Sequence, residues 1–153
     1  MRREDRHITD LQQINALMTK AQVLRLALNT DTVPYLLPLN FGMEPDGMTL
    51  YIHGAMEGTK YDLIARDNRA SFEVDLMDGI LLDEVHQECS VRYASVIGWG
   101  YLEELTLEGE KRQALARIMA QYHAEDFGYS DRPLPRTRIF RLRVQERTAK
   151  GRM

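Results

Sequence analysis

The sequence predicts a mostly β protein with helices, built as a small barrel-like sheet rather than a doubly wound one. Three observations carry this. Apolar and polar residues alternate along several stretches, at 23–29, 71–77, 91–104 and 137–144, the period-two signature of strands with one buried face. Helical periodicity is confined to three short windows, near 10–21, 59–66 and 108–123. Regular βα alternation with near-continuous apolar strands, the mark of a doubly wound parallel sheet, is missing. At 153 residues, 44% hydrophobic and 28% charged, the chain suits one domain with a real core better than two, so a single domain spanning 1–153 is expected.

Met1 to Ile8 is a mostly charged arm. Thr9 or Asp10 can cap a helix, whose inward stripe is Leu11, Ile14, Leu17, Met18 and Ala21. From Val23 the period changes, and VLRLALN sets Leu24, Leu26 and Leu28 on one face of a half-buried strand. The following run carries Pro34 and Pro38, which confines it to a sheet edge or a bulge because proline donates nothing to a ladder. Asp46-Gly47 makes the turn of a hairpin into MTLYIHG. Thr59 to Arg66 reads as a helix with Tyr61, Ile64 and Ala65 inward.

ASFEVDLM then alternates, with Phe72, Val74 and Leu76 inward. Asp78 to Ser90 is acidic and has no clean period, so it reads as a loop with a short helical turn. Val91 to Thr106 is the longest strand, with Tyr93, Ser95, Ile97, Trp99 and Tyr101 on one face and Ala94, Val96, Gly98, Gly100 and Leu102 on the other. Neither face is plainly polar. One can fill a barrel interior while the other meets a helix or a second subunit. Gly98 and Gly100 leave room for close packing beside Trp99. Glu108 to His123 is the clearest helix, with Leu115, Ile118, Met119 and Tyr122 as its stripe and acidic residues at its positive end. After a polar connection from Phe127 to Pro135, TRIFRLRV closes the fold, with Phe140, Leu142 and Val144 opposite Ile139, Arg141 and Arg143. The count is about six strands and three helices.

A formal charge of -3 argues against nucleic acid as the main partner. The single cysteine, Cys89, cannot form an internal disulfide, which fits a reducing compartment. The charged N-terminus shows no secretory leader, and no apolar run approaches the ~20 residues of a membrane helix. A cytoplasmic location is expected. His7, His53, His86 and His123 fall on unrelated elements without metal-ligand spacing. No serine sits in a GxSxG elbow, so any chemistry belongs to a bound cofactor.

The stretch VPYLLPLNFGMEPDGMTLYIHGAMEGTK, Val33 to Lys60, holds the candidate site. Gly58-Thr59-Lys60 enters a helix, where free N–H groups and a lysine suit an anion. Lys60 taken alone reads first as a solvated helix residue, since the GxxxxGK[ST] spacing of phosphate loops is absent. His53 closes an apolar strand, either as a neutral ring bonded to backbone or as a group acting on a ligand. Asn40 sits between apolar residues, where its carboxamide matches the polar edge of a planar heterocycle or pins the next turn. Trp99 is a stacking surface or a core residue.

MRREDRHITD at the start, RLAL at 25–28, PYLLPLNFG at 34–42, LYIHGAMEGTKYDLI at 50–64, SFEVD at 71–75 and YASVIGWGYLEEL at 93–105 follow one another in order. In these segments the chain resembles the flavin-binding split-barrel proteins related to pyridoxamine 5'-phosphate oxidase, and within them the branch associated with 5-nitroimidazole antibiotic resistance. The resemblance implies a six-stranded split barrel, a homodimer, and FMN at the subunit interface. It places Lys60 on the flavin phosphate with His53 close by at the strand end. Pro38, Leu39, Asn40 and Phe41 would run beside the isoalloxazine ring, Ser95 near the phosphate end, and Trp99 at the interface or active-site wall.

The arginine and lysine that true pyridoxamine phosphate oxidases carry where LLPLN stands are absent, which argues against vitamin synthesis. The implied activity is reduction of a small electron-poor substrate, such as a 5-nitroimidazole, by reduced FMN. His53 would be a proton donor or orienting group. The electrons would come from a nicotinamide cofactor or a redox protein. The alternative is a split-barrel module that binds FMN or haem without turnover, since a fold does not determine a function.

Overall fold

The computed structural model describes residues 4–128 and 130–152. Arg2 and Arg3 of the charged arm, and Tyr129 of the polar connection, lie outside them. The strands are β1 (His7–Ile8), β2 (Leu24–Leu28), β3 (Tyr35–Leu39), β4 (Phe41–Met43), β5 (Thr49–Gly54), β6 (Arg69–Asp83), β7 (Glu88–Glu104) and β8 (Arg138–Arg152). The helices are α1 (Leu11–Lys20), α2 (Thr59–Arg66) and α3 (Glu108–Gln121). The strands form one sheet in the order β3-β2-β6-β7-β8-β5-β4, with β1 set against β8. Every pairing is antiparallel.

The two edge strands, β3 and β4, are consecutive in sequence and separated only by Asn40. The sheet therefore curls until its edges meet at that residue, joined by the chain rather than by a ladder of hydrogen bonds. This is a split barrel. The proline-bearing run behaves as an edge strand, as expected, but it is not one strand. Tyr35–Leu39 pairs with β2, and only Phe41–Met43 forms the hairpin with β5. The six expected strand runs are present, with this one broken in two and the short β1 added.

Asp78 to Ser90 is not a loop with a helical turn. It is the distal half of a long hairpin in which Ile80 faces Val91 and Leu82 faces Cys89. A bulge between Met77 and Ile80, with Gly79 at φ 89°, shifts the register, and that shift erases the alternation the sequence would otherwise display. The tip turns at Gln87 (φ 56°), held by the Asp83 carboxylate, which accepts from the Val85 and His86 N–H groups at 3.0 Å each. β8 continues past Val144 to Arg152, through an irregularity that leaves Gln145 unpaired. The N-terminal arm finds its support there, with His7 opposite Lys150 and Ile8 opposite Ala149.

The inner faces of the strands make the main core. Leu24, Leu26, Leu28, Phe72, Val74, Ala94, Val96, Leu102, Phe140 and Leu142 meet Ile14, Leu17 and Met18 of α1 and Tyr61 and Ile64 of α2. Gly98 is obligatory here: a Cβ would lie 2.5 Å from the Phe72 ring and 2.7 Å from the Glu146 carbonyl. The space beside Trp99 that the glycines leave is thus filled by Phe72 and the β8 backbone. Leu11 and Ala65, expected inward, are exposed. On the outer side of β5 and β8, α3 covers a second cluster of Tyr51, Leu105, Ala114, Ile118 and Ile139.

Asp10 caps α1 by accepting from the Gln12 N–H at 2.9 Å, as the sequence allowed. The other end of α1 has an unexpected cap. The buried Gln121 amide of α3 donates to the carbonyls of Met18, Thr19 and Ala21, each at 3.0 Å, satisfying orphan acceptors of the helix end. No helix among the described residues is long and apolar enough to cross a membrane.

Candidate functional site

Alternation along β5 sends Leu50 and Ile52 inward and leaves Tyr51 and His53 on the outer side, beneath α3. The strand ends at Gly54, and Ala55 to Gly58 lead into α2. Tyr61 folds back, donating its hydroxyl to the Ala55 carbonyl and stacking on Phe140 with ring centroids 5.7 Å apart. Lys60 Nζ lies 4.6 Å from the Tyr61 ring centroid, and the Arg138 guanidinium lies 4.0 Å from it. Lys60 also reaches back over Gly54, where an added Cβ would stand 3.0 Å from its ammonium and 2.6 Å from the Tyr61 hydroxyl. Gly54 therefore makes the space into which the lysine folds.

The two cations differ in their commitments. Arg138 is clamped by Glu104, with Nε to Oε1 at 2.7 Å and Nη2 to Oε2 at 2.5 Å. Lys60, among the described residues, has no carboxylate partner. The N-terminus of α2 beside it has Gly58 as N-cap and no side-chain cap. A flexible ammonium and uncapped N–H groups thus share one small region, the arrangement that suits an anion.

Asn40 joins this region through the register. Phe41 pairs with Ile52, so one step further along, Asn40 comes level with His53. Asn40 and Pro38 are exposed, and Leu39 is half-buried. The side of β3 away from β2 is a free sheet edge. Phe41 is different: its side chain is fully buried in the core, and its N–H donates to the Tyr122 hydroxyl at 3.1 Å. It anchors the corner.

His53 is open to water on one side and forms a wall of a cavity on the other. Desolvation by that apolar wall, and then the positive charge of Lys60, lower its pKa below the ordinary histidine value, so the ring is neutral near pH 7. The cavity, about 530 Å³, is bounded by Leu115, Ile118 and Met119 of α3 and by Phe127 and Leu134 of the following connection. Sequence reasoning gave Leu115, Ile118 and Met119 to an ordinary core stripe. Only the packing of Phe127, Gly128 and residues 130–137 against α3 turns part of that stripe into a cavity wall.

Ser95 and Trp99 do not join these residues within one chain. Ser95 faces Asp75 and Lys150, and Trp99 faces Ser71 and Glu146, all on the outer side of the β6–β7 ribbon. His53 is level with Ile139, whose carbonyl accepts from the Leu105 N–H at 2.8 Å. Trp99 lies six residues back along β7 from Leu105, roughly 20 Å of extended strand. Arg141 and Arg143 are paired with Glu103 at 2.8 and 3.0 Å.

Comparison with known proteins agrees with this architecture. A candidate 5-nitroimidazole antibiotic resistance protein from Bacteroides thetaiotaomicron superposes with a TM-score of 0.82 at 31% identity, covering 94% of this chain and 85% of that one. A flavocytochrome from Azotobacter vinelandii gives a TM-score of 0.82 at 18% identity, over 100% of this chain and 72% of that one. An FAD- and haem-binding protein from Mycobacterium smegmatis gives 0.77 at 22% identity, over 95% and 73%. These last two likenesses concern the fold alone. No curated protein matches the sequence. The family model described as pyridoxamine 5'-phosphate oxidase matches residues 10–151, nearly the whole barrel, and the chain belongs to that family.

Proposed function

We propose that this protein is an FMN-dependent oxidoreductase that works as a homodimer and reduces a small electron-poor substrate, a nitro-substituted heterocycle such as a 5-nitroimidazole being the model case. The observation that carries this is the corner where the sheet edges meet. Within it lie Asn40, a neutral His53, an uncommitted Lys60 and the uncapped N-terminus of α2.

These residues fit a flavin mononucleotide. Lys60 and the first N–H groups of α2 would hold the phosphate. The free edge of β3 at Pro38 and Leu39, with the Asn40 carboxamide, offers donors and acceptors for the polar rim of the ring. When bound, reduced flavin supplies a hydride to an electron-poor acceptor, and a nicotinamide or a redox protein restores the electrons. His53, neutral at pH 7, presents one N–H to the acceptor and orients it. α3 and Phe127 exclude water from that side.

The homodimer rests on the β6–β7 ribbon. Its outer face carries Leu82, Ile80 and Met77 towards one end and Ile97 and Trp99 towards the other, exposed by 72, 65, 67, 50 and 38%. These are two apolar patches separated by Asp75 and Glu73 with Arg25, the kind of surface a partner covers. A second copy seated on it would bring its Ser95 and Trp99 toward the Lys60 corner.

Purified protein tests the reading directly. It should be yellow with a bound-flavin spectrum, bleach with reductant under anaerobic conditions, and reoxidise when a nitroimidazole is added. Replacing Lys60 by alanine should weaken FMN affinity by about 10- to 100-fold at constant fold, the loss of a charge-assisted bond. Unchanged affinity in a titration would refute its phosphate role.

One observation favours a second reading, a binder of FMN or haem without turnover. The ring nitrogens of His53 have no hydrogen-bond partner among the described residues, which leaves a neutral imidazole able to ligate iron. A Soret band lost in His53→Ala would select it.

A further inference from the structure

We infer that the cavity between α3 and the chain at Phe127, Gly128 and residues 130–137 is a binding site for a neutral ring compound of two or three fused rings with a carbonyl-type acceptor, hydrogen-bonded by His53. This rests on the flavin reading for its functional meaning and extends it to the class of acceptor.

The size comes first. At about 530 Å³ the chamber falls in the range of small-molecule sites. A single five-membered heterocycle such as the nitroimidazole of the model case can enter and react, but it would leave much of the lining without contacts. Unfilled apolar space forfeits dispersion energy, so a larger ring system binds better. The polarity comes second. Leu115, Ile118, Met119, Phe127 and Leu134 supply the walls.

The polar groups at the far end are in part already committed. The Asp131 carboxylate is ion-paired to Arg112. The Thr137 hydroxyl donates to the Pro133 carbonyl at 2.9 Å, and the Thr137 carbonyl accepts from Lys111 at 3.1 Å. The Ser130 hydroxyl accepts from the Arg132 N–H at 3.2 Å. Among the described residues of the lining, that leaves the His53 ring and the Ser130 O–H with free hydrogen-bonding capacity, and the His53 ring is neutral. An anionic occupant would meet apolar walls and the Asp131 carboxylate, and a cationic one would have to compete with Arg112 for that carboxylate, so a charge is costly to bury here. A neutral one needs a single acceptor atom, placed toward His53.

The test uses the whole chain, flavin-free and FMN-saturated, with 2-methyl-1,4-naphthoquinone as the neutral probe and 1,4-naphthoquinone-2-sulfonate as its charged counterpart. The expected result is that the neutral probe shifts the Met119 methyl resonance, assigned through Met119→Leu, in both forms of the protein. Leu115→Trp and Met119→Trp, each checked for a native circular dichroism spectrum, should weaken its binding at least tenfold. His53→Ala should weaken it about three- to tenfold, as expected for one neutral hydrogen bond. The sulfonate should bind more weakly than the neutral probe.

An unmoved Met119 resonance, equal or tighter binding of the sulfonate, or displacement of the neutral probe by FMN would each overturn the assignment. A protein that takes up no FMN while the Met119 shift persists would sink the flavin reading and leave the cavity assignment standing.

Discussion

The corner at Asn40 and the ribbon of β6 and β7 are built on opposite terms. At the corner, a short span of chain places its functional groups by local means. One-residue linkage between β3 and β4, the β4–β5 register and the helix start at Thr59 are enough. On the ribbon, one face is sealed and the other is unpartnered. Ala94, Val96, Gly98, Gly100 and Leu102 are buried, while Ile97, Trp99 and Tyr101 beside them stand open. The corner can be complete in a single chain. The open face of the ribbon is where the second copy of the proposed dimer would sit.

The sharpest way to break that contrast is to exchange the two faces of β7. Gly98→Val should abolish folding, because the new side chain collides with Phe72 and with the β8 backbone. A cooperative unfolding transition near that of the parent protein would show that the inner face is less tightly packed than described. Ile80→Asp combined with Ile97→Asp, on the outer face, should instead halve the solution mass while leaving the circular dichroism spectrum native. A mass by sedimentation that does not change would remove the ribbon as the dimer face.

The corner has a smaller, pH-dependent signature. His53 has a lowered folded-state pKa, so between that value and the unfolded value near 6.5 the unfolded chain binds more protons. Stability is therefore full above about pH 6.5 and falls as the pH drops toward the folded pKa. His53→Gln should flatten that part of the stability profile in urea titrations, and an identical slope in both proteins would count against it.

The smallest effect belongs to the far side of β8. Glu103, held down to about 2 by its hydrogen bonds to Arg141 and Arg143, is exposed. Glu103→Gln should cost no more than about 1 kcal/mol, as for other surface ion pairs. A larger loss in thermal unfolding would mean the network does more than decorate the surface.

Much of this was legible from residue order. The inward sets of β2, β6 and β7 followed from alternation, the Asp46-Gly47 hairpin from its turn, and the α1 cap from Asp10. Where the sequence misled, a physical cause can be named. The bulge at Gly79 scrambled the period of the distal hairpin, and exposure of both its faces left no buried pattern to read. The edge character set by Pro34 and Pro38 was visible in PYLLPLNFG, but its division between two sheet edges was not, because both halves carry the same strand composition. The tie between Gln121 and the end of α1 joins residues about a hundred positions apart, and no local signal announces it.

The chain by itself determined the barrel class, the family to which it belongs, and the choice of Asn40, His53 and Lys60 as groups worth weighing together. Those follow from periodicity and from short motifs, which local chemistry writes directly into residue order. Only the tertiary structure decided that Lys60 has no carboxylate partner among the described residues while Arg138 is clamped, that His53 is held neutral, and that one side of α3 lines a cavity beside the core it covers. Each of these depends on which distant groups arrive within a few ångströms. That is settled by packing and by charge at close range, and residue order does not express it.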